Sequence, residues 1–328
     1  MTRHPENRAG ADVTSAAIAV VRELDGIAQL DVPIGPLTTY KVGGNAAVYA
    51  KVESLNQLRM VAEAARRHSL PAVVIGRGSN MLVSDAGFNG IAVQLGDFAA
   101  QIDLPEIDES GSAGDELVVR AGSAVALPVL ARRTAALGLR GFEWAVGVPG
   151  SIGGAVRMNA GGHGSDMSES LVSCTLFDLS RGEVAVRAAD TLGLRFRGSS
   201  LTDDDVVVSA DISVRRGDAS AAQDEIDEIV RWRRDNQPGG QNAGSVFVNP
   251  VPGEVAAGQL VDEIGLRGFR VGSASVSTKH ANFIQADDGG RADDVLAVMT
   301  HVRRQVEARF GYRLRTEVRL IGFQVEES

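Results

Sequence analysis

A single cysteine in 328 residues leaves no room for an internal disulfide framework or a cysteine-rich metal site. That residue, Cys174, sits in the strand-like run Leu171–Phe177 and reads as a small buried hydrophobe. Proline is scarce too: 10 residues, with no repeat period, against 38 glycines. This excludes collagen-like and disordered compositions and points to many tight turns. No apolar run approaches the roughly 18 residues needed to span a bilayer. The polar stretch from Met1 to Ser15 lacks a signal-peptide core, so a cytoplasmic protein without membrane insertion is expected. Positive charge is in deficit, with 33 Lys and Arg against 42 Asp and Glu, a net −9. Generic nucleic-acid binding is therefore disfavoured, although a local basic pocket for an anionic ligand is compatible with this balance.

What is present suits a soluble globular chain: 44% hydrophobic and 23% charged residues, at a length of two or three domains. Ser54 to His68 predicts a helix, with Leu55, Leu58, Val61 and Ala65 at helical spacing and Ser54 as N-cap. Further helices are expected at 16–24, 126–137, 221–236, 256–264 and 291–310, and residues 1 to about 15 read as disordered. Strands are expected at 47–52, 91–95, 117–121, 172–179, 183–188, 205–214, 280–285 and 312–323. A composition change near 215–235 suggests that a new domain begins there.

The most informative stretch is Val73 to Gly90. A β-branched run leads into the turn Gly76-Arg77-Gly78-Ser79-Asn80, and Met81-Leu82-Val83 returns to a strand. The dinucleotide fingerprint would need a third glycine where Met81 stands and a helix after the turn. The Walker pattern would need a lysine that is absent. Two readings remain: an ordinary glycine hairpin, or a nest of successive backbone amides that binds an anion. In the second reading the glycines let backbone approach a ligand closely, and Ser79 and Asn80 add hydrogen-bond donors. A second tight turn follows Tyr40, at Val42-Gly43-Gly44-Asn45. A third unusual segment, Gly141 to Gly164, holds eight glycines in 24 positions without being low-complexity. Such density marks close packing of backbone on a flat ligand or on another backbone.

Taken together, these segments resemble a known family. Gly76-x-Gly78-Ser79-Asn80-x-Leu82-Val83-x-Asp85-x-Gly87-Phe88-x-Gly90 looks like the pyrophosphate turn of the vanillyl-alcohol-oxidase-type (PCMH) FAD domain. Gly147-Val148-Pro149-Gly150, Gly153-Gly154-Ala155 and Met158-Asn159-Ala160-Gly161 look like the second FAD-contacting stretch of the UDP-N-acetylenolpyruvoylglucosamine reductase family. Asn242-Ala243-Gly244-Ser245-Val246-Phe247-x-Asn249-Pro250, Lys279-His280-Ala281-Asn282-Phe283 and Glu317-Val318-Arg319-x-Ile321-Gly322 are similar to that family's substrate domain. The likeness runs from about Gly35 to Phe323.

The resemblance implies an α+β fold: a two-part PCMH-type FAD-binding domain plus a C-terminal α+β substrate-binding domain. The implied division is a flexible segment 1–27, an FAD-binding domain 28–215 (subdomains about 28–95 and 96–215) and a substrate-binding domain 216–328. It further implies non-covalent FAD, NADPH as hydride donor, a small sugar-nucleotide substrate, no resident metal and a monomer. By similarity Ser245 is the proton donor, while Arg197 and Glu317 stabilise the developing enolate. Tyr40, Val42, Gly43, Gly76, Arg77, Gly78, Ser79, Asn80, Val148, Pro149, Gly150, Ser151, Gly153 and Gly154 are expected to hold FAD. Arg233, Asn249, Arg319 and His163 are expected at the substrate.

Two departures stand out. Phe196 replaces a tyrosine before Arg197, and His163 stands where the family carries a phenol. Either a stacking or a proton-handling role is open to His163. Few residues separate Val214 from the helix expected at Ala221, so the substrate-gating tyrosine loop of one subclass of the family is not expected here. The competing readings are another PCMH-type flavin oxidoreductase acting on sugars or alcohols, and a nucleotide-binding scaffold without chemistry.

Overall fold

The computed structural model describes residues 6–106 and 115–324. It divides into two compact units, each assembled from separate stretches of chain. The first comprises Met1–Leu30, Val48–Arg77 and Gly90–Arg233; the second comprises Asp31–Ala47, Gly78–Asn89 and Arg234–Ser328.

The first unit is dominated by an antiparallel sheet in which Asp205–Arg216 is the central strand. Glu116–Gly122 lies on one side of it and Leu171–Asp178 on the other, with Glu183–Ala188 at the edge beyond. Inward residues of the central strand, among them Ala210, Ile212 and Val214, are buried, as the two-residue strand period requires. Glu183–Ala188 is exposed along its whole length. The helix Leu127–Ala136 starts with a proline in its first turn and buries Leu127, Leu130, Ala131 and Thr134 in the same core. In the helix Leu55–Arg67, the Ser54 side chain accepts from the Gln57 amide at 3.2 Å, which is the expected N-cap. Nearby, Ala72–Val74 pairs in parallel with Phe88–Leu95.

The second unit packs a three-stranded antiparallel sheet, Arg270–Val271, Ala274–Val276 and Ile284–Ala286. Its core includes Val295, Val298, Met299, Val302 and Val306, the apolar stripe of the helix Ala292–Phe310. Met81–Val83 pairs in parallel with Arg319–Ile321 in this unit.

Several expectations need correction. The glycine turn is not a hairpin: Ala72–Val74 and Met81–Val83 belong to different sheets, so the turn transfers the chain from one sheet to another. Where a flexible segment 1–27 was expected, Glu6–Glu23 is helical, with Val20 and Leu24 fully buried; residues 1–5 lie outside the described residues, as do 107–114 of the acidic loop. The strand expected over 312–323 shortens to Arg319–Ile321, because Thr316 engages Phe247 only through an isolated bridge. The compact units are discontinuous and part at Arg233–Arg234. The helix Ala219–Asn236 carries the physical reason: it buries Ala222, Ile226 and Ile229 in the first core.

Candidate active site

In the second unit, Gly78 holds the left-handed region at φ +59, and a Cβ there would sit 2.5 Å from the Leu37 carbonyl oxygen and the Thr38 Cα. Gly43, at φ +111, would place a Cβ 2.2 Å from the Val83 carbonyl oxygen. Both glycines are therefore demanded by neighbouring backbone as well as by conformation. Among the described residues, the N–H groups of Gly78, Ser79 and Asn80 donate to no backbone or side-chain acceptor. Three successive unengaged amides form the kind of concavity that takes a phosphate. The Thr39 hydroxyl, whose own N–H donates to the Gly78 carbonyl at 3.1 Å, is buried without a hydrogen bond. No motif in the sequence marks this hydroxyl.

Tyr40 and Val42 contribute differently from expectation. Both side chains are buried in the second core with Leu82, Val246 and Phe247, so only their backbone is available to a ligand. The Tyr40 hydroxyl has no hydrogen bond of good geometry; the Ala243 amide is the group that faces it, and burial pushes its pKa well above the ordinary range.

In the first unit, Gly76 meets the second stretch expected at FAD: a Cβ there would lie 2.5 Å from Ser151 Oγ. Arg77 is exposed beside it. Val148 and Gly150 are held by short backbone bonds, Val148 N to the Ala145 carbonyl at 3.1 Å and Gly150 N to the Val148 carbonyl at 2.9 Å, with Pro149 exposed between them. Gly153 donates to the Ser123 carbonyl at 2.9 Å and packs on the Ser123 side chain. The Ser123 hydroxyl is itself buried and without a partner. A Cβ on Gly154 would meet only Ser151 Oγ, at 3.8 Å, so this glycine faces open space. Within the second unit, the unengaged amides and the orphaned Thr39 hydroxyl suit a phosphate-bearing group; within the first, the orphaned Ser123 hydroxyl and the open face of Gly154 leave room for a flat one.

Arg197 also lies in the first unit, in the left-handed region at φ +55. A non-glycine residue there is strained, and such strain clusters at functional sites. Three hydrogen bonds tie its loop to the segment 157–161. Asn159 Nδ2 donates to the Arg195 carbonyl at 3.3 Å, Arg197 Nη1 to the Gly161 carbonyl at 3.0 Å, and Ser199 Oγ to the Arg157 carbonyl at 2.7 Å. The Phe196 ring lies 5.3 Å from the Arg197 guanidinium carbon, so it supports the cation even without the missing hydroxyl.

His163 and Gly164 form the two-residue turn between Gly161–Gly162 and Ser165–Asp166, with φ of +55 and +85. Primed hairpin turns require positive φ at both positions. The His163 ring stands edge-on to Trp232, with centroids 5.0 Å apart, and covers Gly147. Partial burial, then the Arg233 guanidinium, hold its pKa below the usual imidazole value. Burial likewise lowers the pKa of Arg233. Trp232, on the polar side of its helix, had not been singled out from the sequence.

Ser245 and Glu317 share the second unit and are both half-buried. Ser245 forms an isolated bridge with Phe283, and Glu317 N donates to the Val246 carbonyl at 2.7 Å. Asn80 ties in as well: its Nδ2 donates to the Glu317 carbonyl at 2.9 Å, and its own carbonyl accepts from Arg319 N at 2.9 Å. The Asn80 amide expected to face a phosphate is thus turned to the Glu317 backbone. Asn249 Oδ1 accepts from Ala257 N at 3.0 Å at the start of the helix Ala257–Glu263, so half of that amide serves the fold.

With this geometry in view, the similarities are informative. Residues 46–186 match the family model for an FAD binding domain, and residues 236–321 match that for the UDP-N-acetylenolpyruvoylglucosamine reductase C-terminal domain. The chain is 43% identical to the UDP-N-acetylenolpyruvoylglucosamine reductase of Gloeobacter violaceus over 90% of its length and 96% of the relative. It is 37% identical to that of Heliobacterium modesticaldum, over 92% of this chain and 93% of the relative. The crystal structure of the UDP-N-acetylenolpyruvylglucosamine reductase from Thermus caldophilus is similar at a TM-score of 0.73 and 31% identity, covering 88% of this chain and 97% of that one.

Proposed function

Because the chain belongs to the UDP-N-acetylenolpyruvoylglucosamine reductase family, we propose that it reduces UDP-N-acetylglucosamine enolpyruvate to UDP-N-acetylmuramate, with Arg197, Ser245 and Glu317 as its catalytic residues. The reaction serves peptidoglycan precursor synthesis. FAD, when bound, would supply the redox chemistry, with NADPH as hydride source and C3 of the enolpyruvyl group as hydride acceptor. The chain's residues then have two tasks: to stabilise negative charge as it develops toward the enolate, and to deliver a proton to C2.

Ser245 Oγ delivers that proton. A serine hydroxyl is a weak acid and acts only with help from its surroundings. Arg197 grips the substrate carboxylate, for which a planar guanidinium offers two parallel donors. Glu317, held protonated in the substrate complex, donates a hydrogen bond to the enolate oxygen. The observation that carries this reading is the 2.7 Å bond from Glu317 N to the carbonyl of Val246, the residue next to Ser245. Two acidic functions more than seventy positions apart in sequence are thereby fixed to one bridge.

The residues suited to FAD are the amides of Gly78 to Asn80, the Thr39 and Ser123 hydroxyls and the open face of Gly154. Arg233 and Arg319 suit the diphosphate or carboxylate of the sugar nucleotide, with Asn249 beside them in role and His163 as a stacking surface with Trp232. We read the chain as a cytoplasmic monomer, the compartment in which nucleotide sugars and NADPH are available; among the described residues no helix is long and apolar enough to cross a membrane. Purified protein should carry a yellow flavin band released by denaturation. NADPH consumption should depend on the enolpyruvyl sugar nucleotide. A flavin reduced by NADPH that substrate does not reoxidise would refute the reaction.

A further inference from the structure

Asn282 is buried, and every polar group it carries is engaged. Its side chain binds one residue twice: Oδ1 accepts from Phe247 N at 3.0 Å and Nδ2 donates to the Phe247 carbonyl at 2.9 Å. Its carbonyl accepts from Val246 N at 2.8 Å, and its own N–H donates to His280 Nδ1 at 3.2 Å. The next residue, Phe283, bridges Ser245, while Phe247 bridges Thr316 and the Val246 carbonyl accepts from Glu317 N. The tripeptide Ser245-Val246-Phe247 is thus gripped on one edge by 282–283 and on the other by 316–317. No helix or continuous ladder holds it there, because both edges are isolated bridges. The Asn282 amide supplies the two-point contact that sets its register.

We propose that Asn282 is a positioning residue for proton delivery: its side-chain amide clamps the Phe247 backbone, which fixes Ser245 and, through Val246, Glu317 in their working orientation. The proposal rests on the catalytic roles given above to those two residues. Among the described residues, the hydrogen bonds of Asn282 go to Phe247, Val246 and His280, and none to the amides of Gly78 to Asn80 or the Thr39 hydroxyl, so its loss acts on the proton-transfer half of the reaction. A displacement of about 1 Å in a reacting group lowers rates by about two orders of magnitude.

The chemistry of the amide supplies the test. In Asn282→Asp, an ionised carboxylate still accepts from Phe247 N but opposes the Phe247 carbonyl. Protonated, the acid has one acceptor and one donor and reproduces the amide pattern. Desolvation and that opposed carbonyl raise the acid's pKa, so the clamp is restored as pH falls. The titratable groups around it are His280 on the same segment, with Arg267 beyond, and Glu317 across the bridge; the helix Ala257–Glu263 presents Gly258 to it. Rates are therefore taken relative to the wild type at each pH.

The holoprotein and its Asn282→Asp and Asn282→Ser variants are followed by rapid mixing, first with NADPH and then, once reduced, with the enolpyruvyl sugar nucleotide. Flavin reduction is expected at wild-type rate. Reoxidation by substrate is expected to fall about 10- to 100-fold near pH 8 in both variants. The deficit of Asn282→Asp should shrink steadily toward about pH 5.5, while that of Asn282→Ser stays constant. Equal losses in both half-reactions, wild-type reoxidation near pH 8 in either variant, or a pH-independent deficit in Asn282→Asp overturns the proposal. If Asn282→Asp does not fold, Asn282→Ser decides between the first two of these outcomes and the expected one. A wild type that NADPH reduces but substrate does not reoxidise would instead sink the functional reading.

Discussion

The turn at Gly78–Asn80 and the stretch Gly147–Gly154 are both glycine-rich, yet they use glycine for opposite reasons. In the turn, glycine is imposed by the protein: Gly78 combines a positive φ with carbonyl and Cα neighbours at 2.5 Å. In the stretch, none of Gly147, Gly150, Gly153 and Gly154 has a positive φ, and their neighbours are largely side chains: His163 over Gly147, Ser123 beneath Gly153, and almost nothing beside Gly154. A glycine motif that looks uniform in sequence therefore divides into positions that build the fold and positions that leave room for a ligand. Only the second kind should separate cofactor binding from stability.

The largest effect is expected from Gly78→Ala. The left-handed backbone costs an alanine about 1 kcal/mol, and the clash adds more, for a total of about 3 kcal/mol or greater. Chemical denaturation should show it, and a loss below about 1 kcal/mol would erase the distinction between the two regions. Next comes Asp85→Ala. Asp85 accepts from the amides of Ala292 and Asp293 at 3.0 and 3.1 Å, so it caps the helix Ala292–Phe310 from a distant part of the chain. Its removal should cost about 1 kcal/mol, read in the same titration.

Gly154→Ala sharpens the contrast. Gly154 lies in the short helix Ile152–Met158, where the change favours stability by up to about 1 kcal/mol, so the apoprotein should melt no lower than the wild type. FAD affinity, followed by quenching of flavin fluorescence, should fall about tenfold as a methyl fills the open face, about 1.4 kcal/mol. Unchanged affinity would mean that this face is not the cofactor's.

The smallest effect concerns His163. Its folded pKa lies below the ordinary 6.5, so the folded state takes up its proton less readily than the unfolded chain. Stability tied to His163 is full above about pH 6.5 and is lost as pH falls from there through the folded value. His163→Phe should flatten that part of the pH–stability curve slightly while keeping an aromatic ring against Trp232. A steeper curve in the variant would contradict the assigned direction.

Much of this was legible in the sequence because it depends on local pattern. Helical spacing after Ser54 maps directly onto a buried face, and the helix expected at 291–310 and the strand expected at 205–214 coincide with Ala292–Phe310 and Asp205–Arg216 to within two residues at either end. What escaped depends on contacts between distant positions. Asp85 looked like part of a ligand motif, but its partners lie 207 and 208 positions away. Asn80 looked like a phosphate donor, yet its amide holds Glu317, 237 positions away. Tyr40 and Val42 looked like pocket residues, and both are core. The helix Ala219–Asn236 follows the composition change yet packs with the first core, because Ala222, Ile226 and Ile229 find their partners there. His163, chosen as a departure from the family pattern, is explained by a primed turn that only the pairing of Gly162 with Ser165 reveals.

The central claim is that Ser245 protonates C2 while the cofactor machinery works independently of it. Single-turnover kinetics of Ser245→Ala test it most directly. NADPH should reduce the bound flavin at close to the wild-type rate, and reoxidation by the enolpyruvyl sugar nucleotide should slow by at least about two orders of magnitude. Comparable slowing of both half-reactions, or reoxidation at the wild-type rate, would contradict the assignment.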